Sequence, residues 1–115
     1  MLEKTENMVL LLDFYGPLLT NNQQHILNLY YELDYSLTEI AHSLDITRQA
    51  VYDVVKRAEK LLLSYENKLG LVDRFKMTHN KLAEAQLLLS NDEKINPDII
   101  TKVKDILHEV TDTLL

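Results

Sequence analysis

The sequence has no cysteine, only two glycines and only two prolines. Without cysteine there can be no disulfide, thiolate metal site or cysteine nucleophile, an absence that fits a reducing cytoplasm. Gly16 and Gly70 lie too far apart to build a glycine-rich phosphate loop. So few Gly and Pro, with plentiful Leu and Ile and no sustained Val/Thr alternation, favour helices over strands. No apolar run approaches the length of a membrane span. The run Met8 to Leu12 follows Glu3, Lys4 and Glu6 instead of a basic flank, and no small-residue cleavage site comes after it, so no signal peptide is expected. These absences describe a soluble cytoplasmic protein that does not enter a membrane.

The chain has 115 residues, 46% of them hydrophobic, which suits one all-helical domain with a real core. Its formal net charge is −6. A nucleic-acid binder normally carries a basic face, so this balance weighs against the reading that the motif below invites.

No catalytic or metal constellation assembles. His25, His42, His79 and His108 do not pair at ligand spacing, and Asp92-Glu93 reads as a solvated turn. His42 is expected to face solvent or phosphate, and His79 to be a packing residue on an apolar seam. No nucleophile–base pair can be drawn. We therefore expect no enzyme, no cofactor, no metal and no small-molecule substrate.

Along the chain, Thr5 to Tyr15 reads as a helix with Met8, Leu11, Leu12 and Tyr15 on one stripe, ended by Gly16-Pro17. Thr20 and Gln23 form a capping box for a second helix carrying Ile26, Leu27, Leu29, Tyr30 and Leu33. Ser36 and Glu39 form another, opening a short helix to Leu44. Asp45-Ile46 turns the chain and Thr47 caps a fourth helix that runs to Leu69, where Gly70 provides a C-cap. Leu71 to Leu89 reads as a fifth helix, with Val72, Phe75, His79, Leu82 and Leu89 as its seam and Ala83 and Ala85 allowing close approach. A polar loop, Ser90 to Pro97, leads to a last helix, with Asn96 as cap and Pro97 at its first position. Its seam, Ile99, Val103, Ile106, Val110 and Leu114, is heptad-like. The apolar excess at Leu87, Leu88 and Leu89 points to an oligomer.

The segment "SLTEIAHSLDITRQAVYDVVKRAEKLL" (residues 36–62) fills the positions of a helix-turn-helix. Ile40 and Leu44 face inward, Ala41 is the small residue at the crossing, Ile46 plugs the turn, and Val51 and Val54 face inward from the second helix. Asp45 stands where Gly often supplies positive φ; Asp tolerates that region better than most residues. The second helix then presents Thr47, Arg48, Gln49, Tyr52, Asp53 and Lys56 outward, with Arg57 and Lys60 extending the basic side. Arg and Gln side chains suit bidentate contacts to guanine and adenine, and Thr47 and Tyr52 suit phosphate or sugar. Residues 47–60 hold four positive and two negative side chains, whereas 36–69 hold five of each. The same residues could equally be a solvated helix face, and Asp53 would repel phosphate. Tyr30, Tyr31, Tyr35, Tyr52 and Tyr65 crowd the module, as packing residues or, for Tyr31, Tyr35 and Tyr52, as a surface for protein or RNA.

The span from Leu18 to Leu71 resembles region 4 of bacterial sigma factors. More closely, "YYELDYSLTEIA", "TRQAVYDVVKRAEKLL" and "YENKLGL", with the N-terminal "LLLDFYGPLLT", resemble the YlxM family of small bacterial helix-turn-helix proteins over residues 1–71. The fold expected is all-α: a sigma region 4-like helix-turn-helix module, winged-helix-like without the wing, at about 18–69, followed by a C-terminal helical hairpin at 71–115. The resemblance implies a regulatory or accessory role near the signal recognition particle pathway of protein targeting. Two functions follow. One is a regulator that binds DNA or RNA through Thr47, Arg48, Gln49, Tyr52, Lys56, Arg57 and Lys60, as a homodimer built by the C-terminal helices. The other is a protein-interaction module that binds a signal recognition particle component, its GTPase or its RNA, without DNA readout.

Overall fold

A computed structural model describes residues 2–90 and 95–114, the side chains from Thr5 onward. The described residues are all-α, with six α-helices and no strand. They are α1 (Leu2–Tyr15), α2 (Asn21–Leu27), α3 (Leu37–Leu44), α4 (Arg48–Leu69), α5 (Leu71–Leu89) and α6 (Pro97–Leu114). The chain divides into two compact units, the first up to Val72 and the second from Asp73.

In the first unit, local chemistry sets each boundary. Pro17 opens a single 3₁₀ turn, Gly16–Leu18, directly after α1. Thr20 Oγ1 accepts from Gln23 N–H at 3.2 Å and Gln23 Oε1 accepts from Thr20 N–H at 3.1 Å, satisfying two otherwise orphaned donors at the start of α2. Ser36 and Glu39 make the same reciprocal pair at α3. The turn after α3 is a Schellman arrangement: Ile46 N–H donates to Ala41 C=O at 3.0 Å, with Asp45 left-handed at φ 55°. Thr47 Oγ1 accepts from Ala50 N–H at 3.0 Å and starts α4; Gly70, at φ 64°, ends it.

These helices enclose one apolar core. Leu11, Tyr15, Ile26, Leu27, Ile40, Val51, Ala58 and Leu62 keep at most 1% of their surface exposed. Leu44 and Val54 pack at its edge. The expected interior of the helix-turn-helix is thus present with one exception: Ile46, whose N–H closes the turn, keeps 40% of its surface exposed and is not part of the buried core. A second correction concerns Leu33. After Leu27 the helix widens into a π-turn, Asn28–Glu32, which carries an extra residue per turn and rotates Leu33 out of the stripe to 60% exposure.

Tyr15 closes the first unit. Its hydroxyl donates to Glu66 Oε1 at 2.6 Å and accepts from Leu71 N–H at 3.1 Å, while Glu66 Oε1 also accepts from Val72 N–H at 3.0 Å. A side chain 56 residues upstream thereby holds Leu71, the residue after Gly70, and through Glu66 the next donor of α5. Burial and the adjacent Glu66 carboxylate push the Tyr15 hydroxyl above its ordinary pKa.

In the second unit, Asn96 Oδ1 accepts from Ile99 N–H at 3.1 Å and Pro97 takes the first helical position of α6, as expected. The α6 seam holds at Ile99, Val103, Ile106 and Val110, but Leu114 stays 64% exposed. The α5 seam is elsewhere than expected. Ala85 and Leu88 meet Val103, Ile106 and Ile99, and Lys81 Nζ reaches Glu109 Oε2 at 2.6 Å. Phe75, His79, Leu82 and Leu89 are exposed, as is Ala83. Small Ala85 lets the two backbones approach, whereas a Phe75/Leu82/Leu89 seam would hold them apart. His79 is accordingly no buried packing residue; its ring stacks on Phe75 at 6.2 Å. Residues 91–94, including Asp92-Glu93 and half of the expected polar loop, lie outside the described residues.

Candidate nucleic-acid interface

The helix-turn-helix leaves one side of α4 open. Thr47, Arg48, Gln49, Tyr52, Lys56, Arg57 and Lys60 are all exposed, while Val51, Val55 and Ala58 hold the opposite side of the helix in the core. At 100° per residue, Arg48, Gln49, Tyr52, Lys56 and Lys60 share one face, and Arg57 flanks it. The first turn of α4 has no acidic residue, so its N-terminal dipole is not neutralised locally. Thr47 spends an oxygen lone pair on its cap and keeps its hydroxyl proton for an acceptor.

Several of these groups are engaged. Gln49 Nε2 donates to Asp53 Oδ1 at 2.9 Å, an i,i+4 pairing that occupies the amide an adenine contact would use. Lys56 Nζ lies 3.4 Å from Glu59 Oε1 and 5.6 Å from the centroid of the Tyr52 ring. Glu59 is fixed in turn by the Tyr31 hydroxyl, which donates to its carboxylate. Burial, and then Glu59, raise the Tyr31 hydroxyl well above its ordinary pKa. Among the described residues Arg48, Arg57 and Lys60 have no carboxylate in ion-pair contact. Lys56, Arg57 and Lys60, with Asp53, line a shallow depression of about 200 Å³. Three cations against one carboxylate make it an anion-accepting surface.

The tyrosines divide. Tyr15 and Tyr65 pack in the first unit with ring centroids 6.0 Å apart. Tyr31 and Tyr35, with Tyr30, Asp34 and Glu59, line an open groove of about 400 Å³ beside Lys56. Two carboxylates there disfavour phosphate. Tyr52 stands apart on the open face of α4, 41% exposed. His25, His42 and His108 are exposed; His108 Nε2 sits 3.5 Å from Asp112 Oδ2. Among the described residues no group of three His, Asp or Glu could hold a metal ion, and no helix is long and apolar enough to cross a membrane.

The expected contact residues are therefore displayed together, but two ties on that face, Gln49 to Asp53 and Lys56 to Glu59, are additional. The first was open to inference from Gln and Asp four apart on a helix. The second, three residues apart, is equally local; only the Tyr31 hydroxyl that fixes Glu59 from 28 residues away has no local signal.

Residues 2–106 match the family described as "Putative helix-turn-helix protein, YlxM / p13 like". The chain is 45% identical over 106 residues to a UPF0122 protein of Bacillus mycoides (strain KBAB4), covering 92% of this chain and 96% of the relative. It is 45% identical over 105 residues to a UPF0122 protein of Thermoanaerobacter sp. (strain X514), covering 90% of each. A UPF0122 protein of Bacillus cereus (strain 03BB102) is 44% identical over 106 residues. The match takes in α1 to α5 and the first half of α6, so the chain belongs to the UPF0122 family of YlxM / p13-like helix-turn-helix proteins.

Proposed function

We propose that this protein is a non-catalytic cytoplasmic regulator that binds nucleic acid, with DNA as the first candidate, through the open face of α4. Arg48 and Gln49 read base edges near the helix start. Lys56, Arg57 and Lys60 hold phosphates in the depression they line, and Thr47 and Tyr52 contact backbone. The observation that carries this reading is the concentration of unpaired cations on the one side of α4 that the core leaves uncovered, in a chain that is acidic overall. Gln49 must leave Asp53 to read a base, which makes Asp53 a gate on specificity. The protein acts as a homodimer, which doubles the phosphate contacts that a single neutral motif can make.

A mobility-shift titration across salt tests this. The three cations that hold phosphate set a log–log salt slope of about −3 per protomer. The Arg48→Ala, Gln49→Ala double variant should lose roughly 2–5 kcal/mol of sequence-specific binding. Unchanged binding in that variant discards the reading.

A specific observation favours a second reading. The Gln49–Asp53 and Lys56–Glu59 ties, with the neutral balance of residues 36–69, fit a surface that meets protein. The partner is then a signal recognition particle component, its GTPase or its RNA, in keeping with the family resemblance. Capture of each purified component, with and without nuclease, separates the two: loss of all capture after nuclease removes the protein partner.

A further inference from the structure

The second unit has more apolar surface than its own seam consumes, and that surplus is ordered. In α5, Phe75, Leu82 and Leu89 recur every seven residues and are 46%, 40% and 40% exposed. In α6, Ile100, Leu107 and Leu114 recur every seven residues and are 39%, 48% and 64% exposed. Each triplet lies roughly 80–100° around its helix from the seam, in the same rotational sense when each helix is viewed from its own N-terminus. In an antiparallel hairpin, equal offsets of the same sense place both triplets on one side. The Lys81–Glu109 ion pair fixes the register. It sets Leu82 beside Leu107, Phe75 beside Leu114 and Leu89 beside Ile100, giving three apolar layers across one face.

The pattern states what the face is built to meet. A helix with a single helical neighbour needs only a narrow two-position seam. A third apolar position per heptad, adjacent to that seam, belongs to helices in a bundle core. Both helices here carry the third position, at the same heptad place. Two helices cannot form such a core; two hairpins can.

We propose that the second copy of the chain supplies the other hairpin, the two closing into a four-helix bundle. This supplies the surface for the homodimer proposed above and stands independently of nucleic-acid binding. Charge supports a copy over an unlike partner. The hairpin's described carboxylates, Asp73, Glu84, Asp98, Asp105, Glu109 and Asp112, all fall at heptad places off this face. The polar residues between the layers are His79, Gln86, Lys104 and Thr111, so a chain of net charge −6 meets its twin without opposing acids. A basic partner would find no carboxylate to pair, and a nucleic acid only Lys104. Area supports it too. The six side chains leave on the order of 500 Å² of apolar surface on one face, as large as such patches become on monomers. Two faces closing remove about 1,000 Å², the lower bound for a specific interface, before the intervening polar residues are counted.

Sedimentation equilibrium of the full chain tests the pairing, with nucleic-acid binding measured in parallel. The native chain should be dimeric at micromolar concentration. Leu82→Glu with Leu107→Glu, in the central layer, should give a monomer, with helical content checked by circular dichroism. The milder Leu82→Gln with Leu107→Gln should keep the fold and raise the dimer dissociation constant at least roughly tenfold. Leu87→Glu, at a side chain 74% exposed and off the face, should leave the dimer intact. A native chain that stays monomeric, a glutamine variant that dimerises like the native chain, or dissociation by Leu87→Glu alone would each overturn the pairing. A monomer that still binds nucleic acid defeats the bundle and spares the α4 reading; a dimer that binds none does the reverse.

Discussion

The two units of this chain use apolar residues differently. The first hides eight side chains at 1% exposure or less, with Tyr15 among them. In the second, the best-covered position is Ala85 at 5%, and Val103, Ile106 and Val110 lie between 8% and 9%. The first unit surrounds its core from several directions with its four helices, α1 to α4. The second has a single two-helix seam that includes Lys81 and small Ala85, with larger side chains outside it. Apolar content alone does not separate a finished core from an unfinished one; the direction in which the large residues point does.

The largest effect that would sharpen this contrast is in the first core. Ile40→Ala opens a cavity in the helix-turn-helix corner, where nothing can collapse cheaply, and should cost about 3–4 kcal/mol in urea unfolding. The same truncation at Ile106, in the thin seam, should cost about half as much in chain kept monomeric by substitutions in the central layer. If Ile106→Ala costs as much as Ile40→Ala there, the second unit is better packed than the comparison holds.

Next in size is the polar closure of the first unit. Tyr15→Phe keeps the buried ring but strands the Leu71 N–H and one bond to Glu66, and should cost roughly 1–3 kcal/mol. It carries a pH signature. The folded-state pKa of Tyr15 is raised, so its contribution is whole below the ordinary tyrosine value of 10.0 and is lost as pH rises through the folded value. Native chain should therefore lose stability above about pH 10, and Tyr15→Phe should lose less; Tyr31, raised by burial and Glu59, supplies what remains of the slope. Parallel slopes for both proteins would remove Tyr15 as the source.

Sequence legibility followed the range of the interaction. The capping boxes at Thr20 and Ser36, the Thr47 cap and the Gly70 stop are written within a few residues and appear where expected. The α6 seam was legible from Ile99 to Val110, but Leu114 belongs to a second apolar phase with Ile100 and Leu107 and lies outside it. In α5 two phases compete, and the one with the larger residues, Phe75, Leu82 and Leu89, reads as the seam although the hairpin uses the one with Ala85. Leu33 was lost to a π-turn that no local residue announces. The Tyr15–Glu66 closure and the Tyr31–Glu59 tie join residues 51 and 28 apart, and only the folded chain brings them together. On α4 the exposed residues were legible as a set, and so was the Lys56–Glu59 spacing, but the Tyr31 hydroxyl that fixes Glu59 was not.

The smallest effect concerns the turn on which the α4 face depends. Asp45 is held at φ 55°, where a β-carbon crowds the backbone, and Asp bears this better than most residues but worse than Gly. Asp45→Gly removes that strain and also frees the unfolded chain, so the two terms oppose. Strain relief wins by a modest margin at left-handed positions, and the variant should gain about 0.5–1 kcal/mol. The Schellman bond from Ile46 N–H to Ala41 C=O needs only backbone and should persist. It follows that Asp45→Gly should stabilise the first unit without altering binding by α4, except for the small gain from removing a carboxylate near phosphate. A loss of stability would mean that the Asp45 side chain contributes more to the corner than its backbone angle costs, and the turn would then depend on its residue type as closely as the caps do.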